Sequence, residues 1–166
     1  MDWNVLHVKP RCEKKMAEYC RYYGVEYYLP LRQETKVYQR RKVAVEKPVF
    51  PGYVFVGLLP AEREIPAQRE TVVKCGSLVR IIEVRDQARF LHEISQVRQA
   101  LTIDSTLGAS SSIVKGKPVR ILSGPFQGLE GVVSSVHGVT RVVLNVDMIG
   151  QSVRVDADAD MIEPLD

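Results

Sequence analysis

The sequence predicts a two-part chain, an α+β domain on an antiparallel sheet followed by a small all-β barrel. Three observations predict it. Helix-period patterns occur twice before residue 103 and not afterwards. Beyond residue 112 the chain is short β-branched runs separated by glycine turns. Between the two lies 104–112, small and polar, with the composition of a flexible linker. At 166 residues and roughly 100–200 residues per domain, the chain has room for one ordinary domain or two small ones. We therefore place domains at 1–103 and 113–166, the second small but large enough to fold.

The elements follow in order. Residues 3–8, Trp-Asn-Val-Leu-His-Val, form a short apolar strand that Pro10 ends. Cys12, Met16, Tyr19, Cys20 and Tyr23 recur at helical spacing and predict a helix over 11–23, stopped by Gly24. Tyr27-Tyr28-Leu29 reads as extended. Val37 and Val43-Ala44-Val45 flank Gln39-Arg40-Arg41-Lys42, a β-hairpin with a basic tip. Pro51-Gly52 is a turn signal before the dense strand Tyr53-Val54-Phe55-Val56. The polar stretch 61–71 holds a short helix, and Val72-Val73 and 78–82 read as strand. Phe90, Leu91, Ile94, Val97 and Leu101 give a helix over 87–101. The barrel strands fall at 119–122, 132–136, 142–146 and 153–155.

The formal net charge of +3 is bland, but it conceals an asymmetry. Residues 1–103 carry 18 Lys+Arg against 12 Asp+Glu, and residues 104–166 carry 5 against 8. A basic part joined to an acidic part indicates modules with different partners. No apolar run is long enough to span a bilayer, and the start has no signal-peptide pattern. Three cysteines without a C-x-x-C fit reduced thiols and a cytoplasmic location.

Catalytic constellations are missing from the pattern. His7, His92 and His137 stand in separate elements, with no H-E-x-x-H. Gly124-Pro-Phe-Gln-Gly128-Leu-Glu-Gly131 lacks the Gly-Lys-Ser/Thr ending of a phosphate loop. The alternating Asp156, Asp158 and Asp160 lack the glycine and glutamate of a calcium loop. We therefore expect no enzyme, no metal and no cofactor.

Two stretches carry a resemblance. Phe50-Pro51-Gly52-Tyr53-Val54-Phe55-Val56 and the run Gly116-x-x-Val119-Arg120-Ile121-x-x-Gly124-Pro125-Phe126-x-Gly128-x-x-Gly131-x-Val133 together resemble the NusG family of transcription elongation factors. The first belongs to that family's N-terminal domain. The second is similar to its KOW motif, carried by a C-terminal SH3-like barrel. Val8-Lys9-Pro10-Arg11-Cys12-Glu13 and Lys42-Val-Ala-Val-Glu-Lys-Pro-Val-Phe50 look more like the specialised RfaH-type paralogues.

The resemblance implies a monomer that docks on the clamp helices of the largest RNA polymerase subunit, suppresses pausing and modulates termination or antitermination. The matching docking positions are Leu6, Tyr53, Phe55 and Ile81. It places Lys36, Arg40, Arg41 and Lys42 near upstream or non-template DNA. In the barrel it implies a site for a small-subunit ribosomal protein or Rho at Phe126, Met148 and Ile149. The Thr-rich polymerase contact of RfaH-type proteins is replaced here by Glu62-Arg63-Glu64-Ile65 and is not carried over. Because 132–133, 142–144 and the glycines favour strand, we expect the barrel to stay β and not refold as a helical hairpin. The rival reading is a KOW-type RNA- or ribosome-binding protein, against which stands the lack of an exposed-aromatic RRM signature.

Overall fold

A computed structural model describes residues 1–60 and 67–165. Among these residues it is a mixed α/β chain with antiparallel sheets and three α-helices. It forms two compact units, Met1–Pro30 with Phe50–Ala88, and Leu31–Val49 with Arg89–Asp166.

The first unit is built on a four-stranded sheet. Strands β1 (Asp2–Val8), β2 (Glu26–Tyr28), β5 (Tyr53–Leu58) and β6 (Leu78–Glu83) run in the order β2-β5-β1-β6. Helix α1 (Glu13–Tyr22) follows β1, and α2 (Gln68–Val73) precedes β6. Alternation along the strands separates two sets of side chains. Leu6, Val8, Val54, Val56 and Leu58 form one core with Met16 and Cys20 of α1 and Val72 of α2, and Ile81 packs against it. Burial pushes the Cys20 thiol up to about 11, with Cys75 adding to the shift. Val5 and Phe55, opposite one another in the register, are fully buried on the other set.

Two turns set the entry to these elements. Tyr53 N–H donates to Phe50 O at 3.2 Å across Pro51-Gly52, and Gly52 has φ +89°. Proline at the second position and a left-handed glycine at the third are what a type II turn needs. The buried Glu13 carboxylate accepts from Gly52 N–H at 3.3 Å, which ties the start of α1 to this turn. Gln87 closes the sheet's end. Its amide accepts from Trp3 N–H and donates to Trp3 O, both at 2.8 Å, where β6 no longer pairs with β1.

Val72-Val73, whose β-branched side chains suggest strand, ends α2 instead. Burial of Val72 in the core overrides its local preference. Residues 61–66, the first part of the expected short helix, lie outside the described residues.

The second unit contains hairpin β3 (Leu31–Tyr38) and β4 (Arg41–Pro48), α3 (Gln87–Ile103) from Arg89 onward, and a six-stranded sheet. The sheet comprises β7 (Ala109–Ser110), β8 (Pro118–Ile121), β9 (Glu130–Val136), β10 (Val139–Val146), β11 (Gln151–Asp156) and β12 (Ile162–Pro164), in the order β12-β8-β9-β10-β11-β7. Strands fill this region, with two single 3-10 turns at Asp147–Ile149 and Ala159–Met161. Val119, Ile121, Leu129, Val142, Leu144, Val146, Val153 and Val155 are its buried apolar residues together with Val143.

The stretch expected as linker is hydrogen-bonded. Thr106 N–H and hydroxyl both donate to Asp104 Oδ1, at 2.9 and 2.6 Å, and hold that carboxyl below the usual range. Ala109 and Ser110 pair with Val153 and Ser152. Polar residues of α3 meet the six-stranded sheet. Glu130 N–H donates to Gln96 Oε1 at 2.8 Å, His92 lies 3.3 Å from Glu130, and Arg89 pairs with Asp147.

Candidate functional site

The described residues offer no group of three His, Cys, Asp or Glu able to hold a metal ion, and the candidate sites are surfaces. The structure divides the four docking candidates between the two faces of the four-stranded sheet. Cross-strand register puts His7 opposite Tyr53 and Val5 opposite Phe55, while Leu6 lies opposite Val54 and Ile81. Neighbours on a strand point to opposite faces. Tyr53 and Phe55 therefore share one face, and Leu6 and Ile81 share the other.

Their roles in the unit differ accordingly. Phe55 is fully buried, edge-on to Phe50 at 6.1 Å between centroids and tilted to Tyr28 at 6.5 Å. Tyr53 is half-buried and stacks on His7 at 5.5 Å. Leu6 is fully buried among α1 and α2 side chains, with Ile81 beside it. Tyr53, His7 and Tyr28 are thus the half-buried rings of this set, whereas Phe50 and Phe55 are buried.

The four basic candidates all fall on the hairpin. Tyr38 pairs with Arg41, which leaves a two-residue loop in which Gln39 has φ +45° and Arg40 +66°. Positive φ at both central residues is the type I′ geometry that matches strand twist. Lys36 and Arg41 share a face, Arg40 occupies the turn, and Lys42 lies on the opposite face, across from Val37. Arg40, Arg41 and Lys42 are exposed.

In the six-stranded sheet, Phe126 lies in the β8–β9 connection and Met148 and Ile149 in the β10–β11 connection. Antiparallel neighbours bring both connections to one end of the sheet. All three side chains are half-buried. The glycines between them have separate tasks. Gly124 and Gly128 take φ +91° and +92° in consecutive turns, which Pro125 and Phe126 join. Gly116 and Gly131 allow close approach: a β-carbon would lie 2.5 Å from Val133 O and 2.6 Å from Val143 O respectively.

One surface lay hidden in the sequence pattern. Tyr19, Tyr22 and Tyr23 form a chain of ring contacts at 4.7 and 4.9 Å beside Lys9, Lys15 and Lys74, around a depression of about 650 Å³. Helical spacing puts Tyr19 and Tyr23 on one apolar face, yet Tyr23 is 53% and its neighbour Tyr22 82% exposed.

Comparison with known proteins identifies the family. The family model described as "Transcription termination factor nusG" matches residues 1–123. The transcription termination/antitermination protein NusG of Borreliella burgdorferi is 23% identical over 180 residues, covering 98% of each chain. That of Staphylococcus carnosus is 28% identical over 145 residues, 82% of this chain and 76% of its own. A solved chain of an MjSpt4:Spt5 complex aligns over 98% of this chain and 96% of its own at 15% identity. Its TM-score of 0.32 is too low to carry an argument about fold. With the family model spanning residues 1–123 of the 166, the chain belongs to the NusG family.

Proposed function

We propose that this chain is a non-enzymatic, cytoplasmic transcription factor that binds RNA polymerase, suppresses pausing and modulates termination or antitermination. The family model and the names of its relatives support the transcription role. In this reading residues 1–103 act as the polymerase-binding domain, and the basic hairpin lies near upstream or non-template DNA. Residues 113–166 act as a KOW barrel whose end at Phe126, Met148 and Ile149 recruits a second protein, such as a small-subunit ribosomal protein or Rho. Residues 104–112 join the two.

The observation that supports the polymerase contact is Tyr53, half-buried, stacked on His7 and on the same sheet face as the buried Phe55. A rigid aromatic with one face open suits the tip of the clamp helices, because such anchors dominate interface energy. Leu6 and Ile81 support the sheet from behind. Binding the closed clamp better than the open one would favour elongation by population shift.

The test is capture of purified RNA polymerase by the full chain. Tyr53→Ala should weaken capture by roughly tenfold or more while leaving the melting temperature nearly unchanged, as expected for a hot-spot truncation. Phe55→Ala should instead lower the melting temperature, by the loss of about 3–5 kcal/mol typical of a buried phenylalanine. Undiminished capture by a folded Tyr53→Ala variant would remove this face from the reading. No capture by the wild type would favour an RNA- or ribosome-binding role.

A further inference from the structure

Strands β3 and β4 pair with one another and with no other strand among the described residues. The result is a two-stranded ribbon, eight residues on each side. Its faces differ in charge. The register and the strand alternation put Arg32, Lys36, Arg41 and Lys47 on one face, with Glu34 as its single acid. The other face carries Lys42 and Glu46.

The basic face is only partly neutralised from within. Glu34 accepts from Arg32 at 3.2 Å and from Lys47 at 3.1 Å, and Lys47 holds its carboxyl below the usual range. Lys47 also crowds Lys36 and lowers the pKa of that ammonium. Several cations therefore share one carboxylate, an arrangement that phosphate oxygens would relieve.

Shape selects the form of nucleic acid. The major groove of B-DNA is about 12 Å wide and admits a two-stranded β-ribbon. Eight-residue strands extend about 27 Å at roughly 3.4 Å per residue, which is about eight base-pair steps of duplex. Single strands are held instead on rows of stacked aromatic rings. On this face the one aromatic residue is Tyr38, beside the turn.

We propose that the ribbon lies in the major groove of double-stranded DNA, with Lys36, Arg41 and Lys47 on backbone phosphates and the Lys42 face turned away. This rests on the hairpin–DNA reading above and adds to it the form of the DNA and the face that meets it. Phosphate contacts of this kind position the protein without reading sequence.

Fluorescence anisotropy of the full chain with a labelled 20-base-pair duplex, and with one of its strands alone, tests the assignment. Lys36→Ala/Arg41→Ala should reduce the slope of log affinity against log salt by about 2 and weaken duplex binding more than tenfold near 0.1 M salt. Val43 and Ala44 are exposed neighbours on opposite faces. Val43→Glu and Ala44→Glu change the net charge equally. Val43→Glu should weaken the duplex complex more than tenfold, and Ala44→Glu less than threefold.

Equal losses from the two glutamates would overturn the facial assignment. A single strand bound as tightly, through the same residues, would overturn the choice of duplex. Polymerase capture separates this from the functional reading. Retained capture without duplex binding refutes the ribbon alone, whereas duplex binding without capture refutes the polymerase role alone.

Discussion

At Gly131 the two strands β9 and β10 come too close for any side chain. A β-carbon there would stand 2.6 Å from Val143 O and 2.8 Å from Val142 Cγ1. Neither a backbone oxygen in a paired strand nor a fully buried valine has room to retreat. Gly131→Ala should therefore destabilise the chain by about 1–3 kcal/mol, the usual cost of overpacking, measured as a fall in the urea midpoint. Gly128→Ala meets no atom within 4 Å, so its cost is only the left-handed φ of +92°, about 1–2 kcal/mol. The spacing of these glycines was legible in the sequence, but their division into turn and close-approach positions was not. That division depends on which strand crosses behind each one. The same holds for Leu6 and Ile81. Both were visible as strand residues, yet that they lie on the face opposite Tyr53 depends on the register, and an offset of one residue reverses the answer.

The β3–β4 hairpin shows an element whose local sequence resists its own geometry. Both loop residues of its type I′ turn, Gln39 and Arg40, are in the left-handed region without being glycine or asparagine. Each such residue costs roughly 1–2 kcal/mol. Replacing the pair by Asn-Gly should remove most of that strain while giving back some in chain entropy, a net gain of about 1 kcal/mol. Because the ribbon pairs with no other strand among the described residues, the gain belongs to local opening rather than global unfolding. Native-state hydrogen exchange at the β3–β4 ladder amides should slow by about fivefold, since about 1 kcal/mol is a factor near five. Unchanged exchange would mean that the turn is not strained. The same variant removes the Arg40 guanidinium from the tip, so its loss of duplex affinity can be weighed against its gain in order. The hairpin itself was legible from its flanking valines and basic tip. The α2 ending at Val72-Val73 was not, because two β-branched residues carry a strand signal that only burial against α1 and β5 reverses.

At the scale of the whole chain, the charge asymmetry around residue 104 is where sequence and structure meet. Arg89, His92 and Gln96 on α3 meet Asp147 and Glu130 of the acidic C-terminal sheet. Residues 104–112, polar enough to read as linker, supply backbone partners that composition does not reveal. Ser110 and Ala109 pair with β11, and Ser152 donates to Ser112 O at 2.7 Å. Ser152 is fully buried, so its hydroxyl depends on Ser112. A fragment beginning at residue 113 leaves that hydroxyl unpaired and one edge of β11 open, whereas a fragment beginning at 108 keeps both contacts. An unsatisfied buried group costs about 1–3 kcal/mol. For a domain of this size that corresponds to a melting temperature lower by roughly 4–8 °C per kcal/mol. The fragment 108–166 should therefore melt well above 113–166 by circular dichroism, with both retaining a β-type spectrum. Equal melting temperatures would show that the stretch is a tether, as its composition suggests, and that the sheet ends at β11 without it.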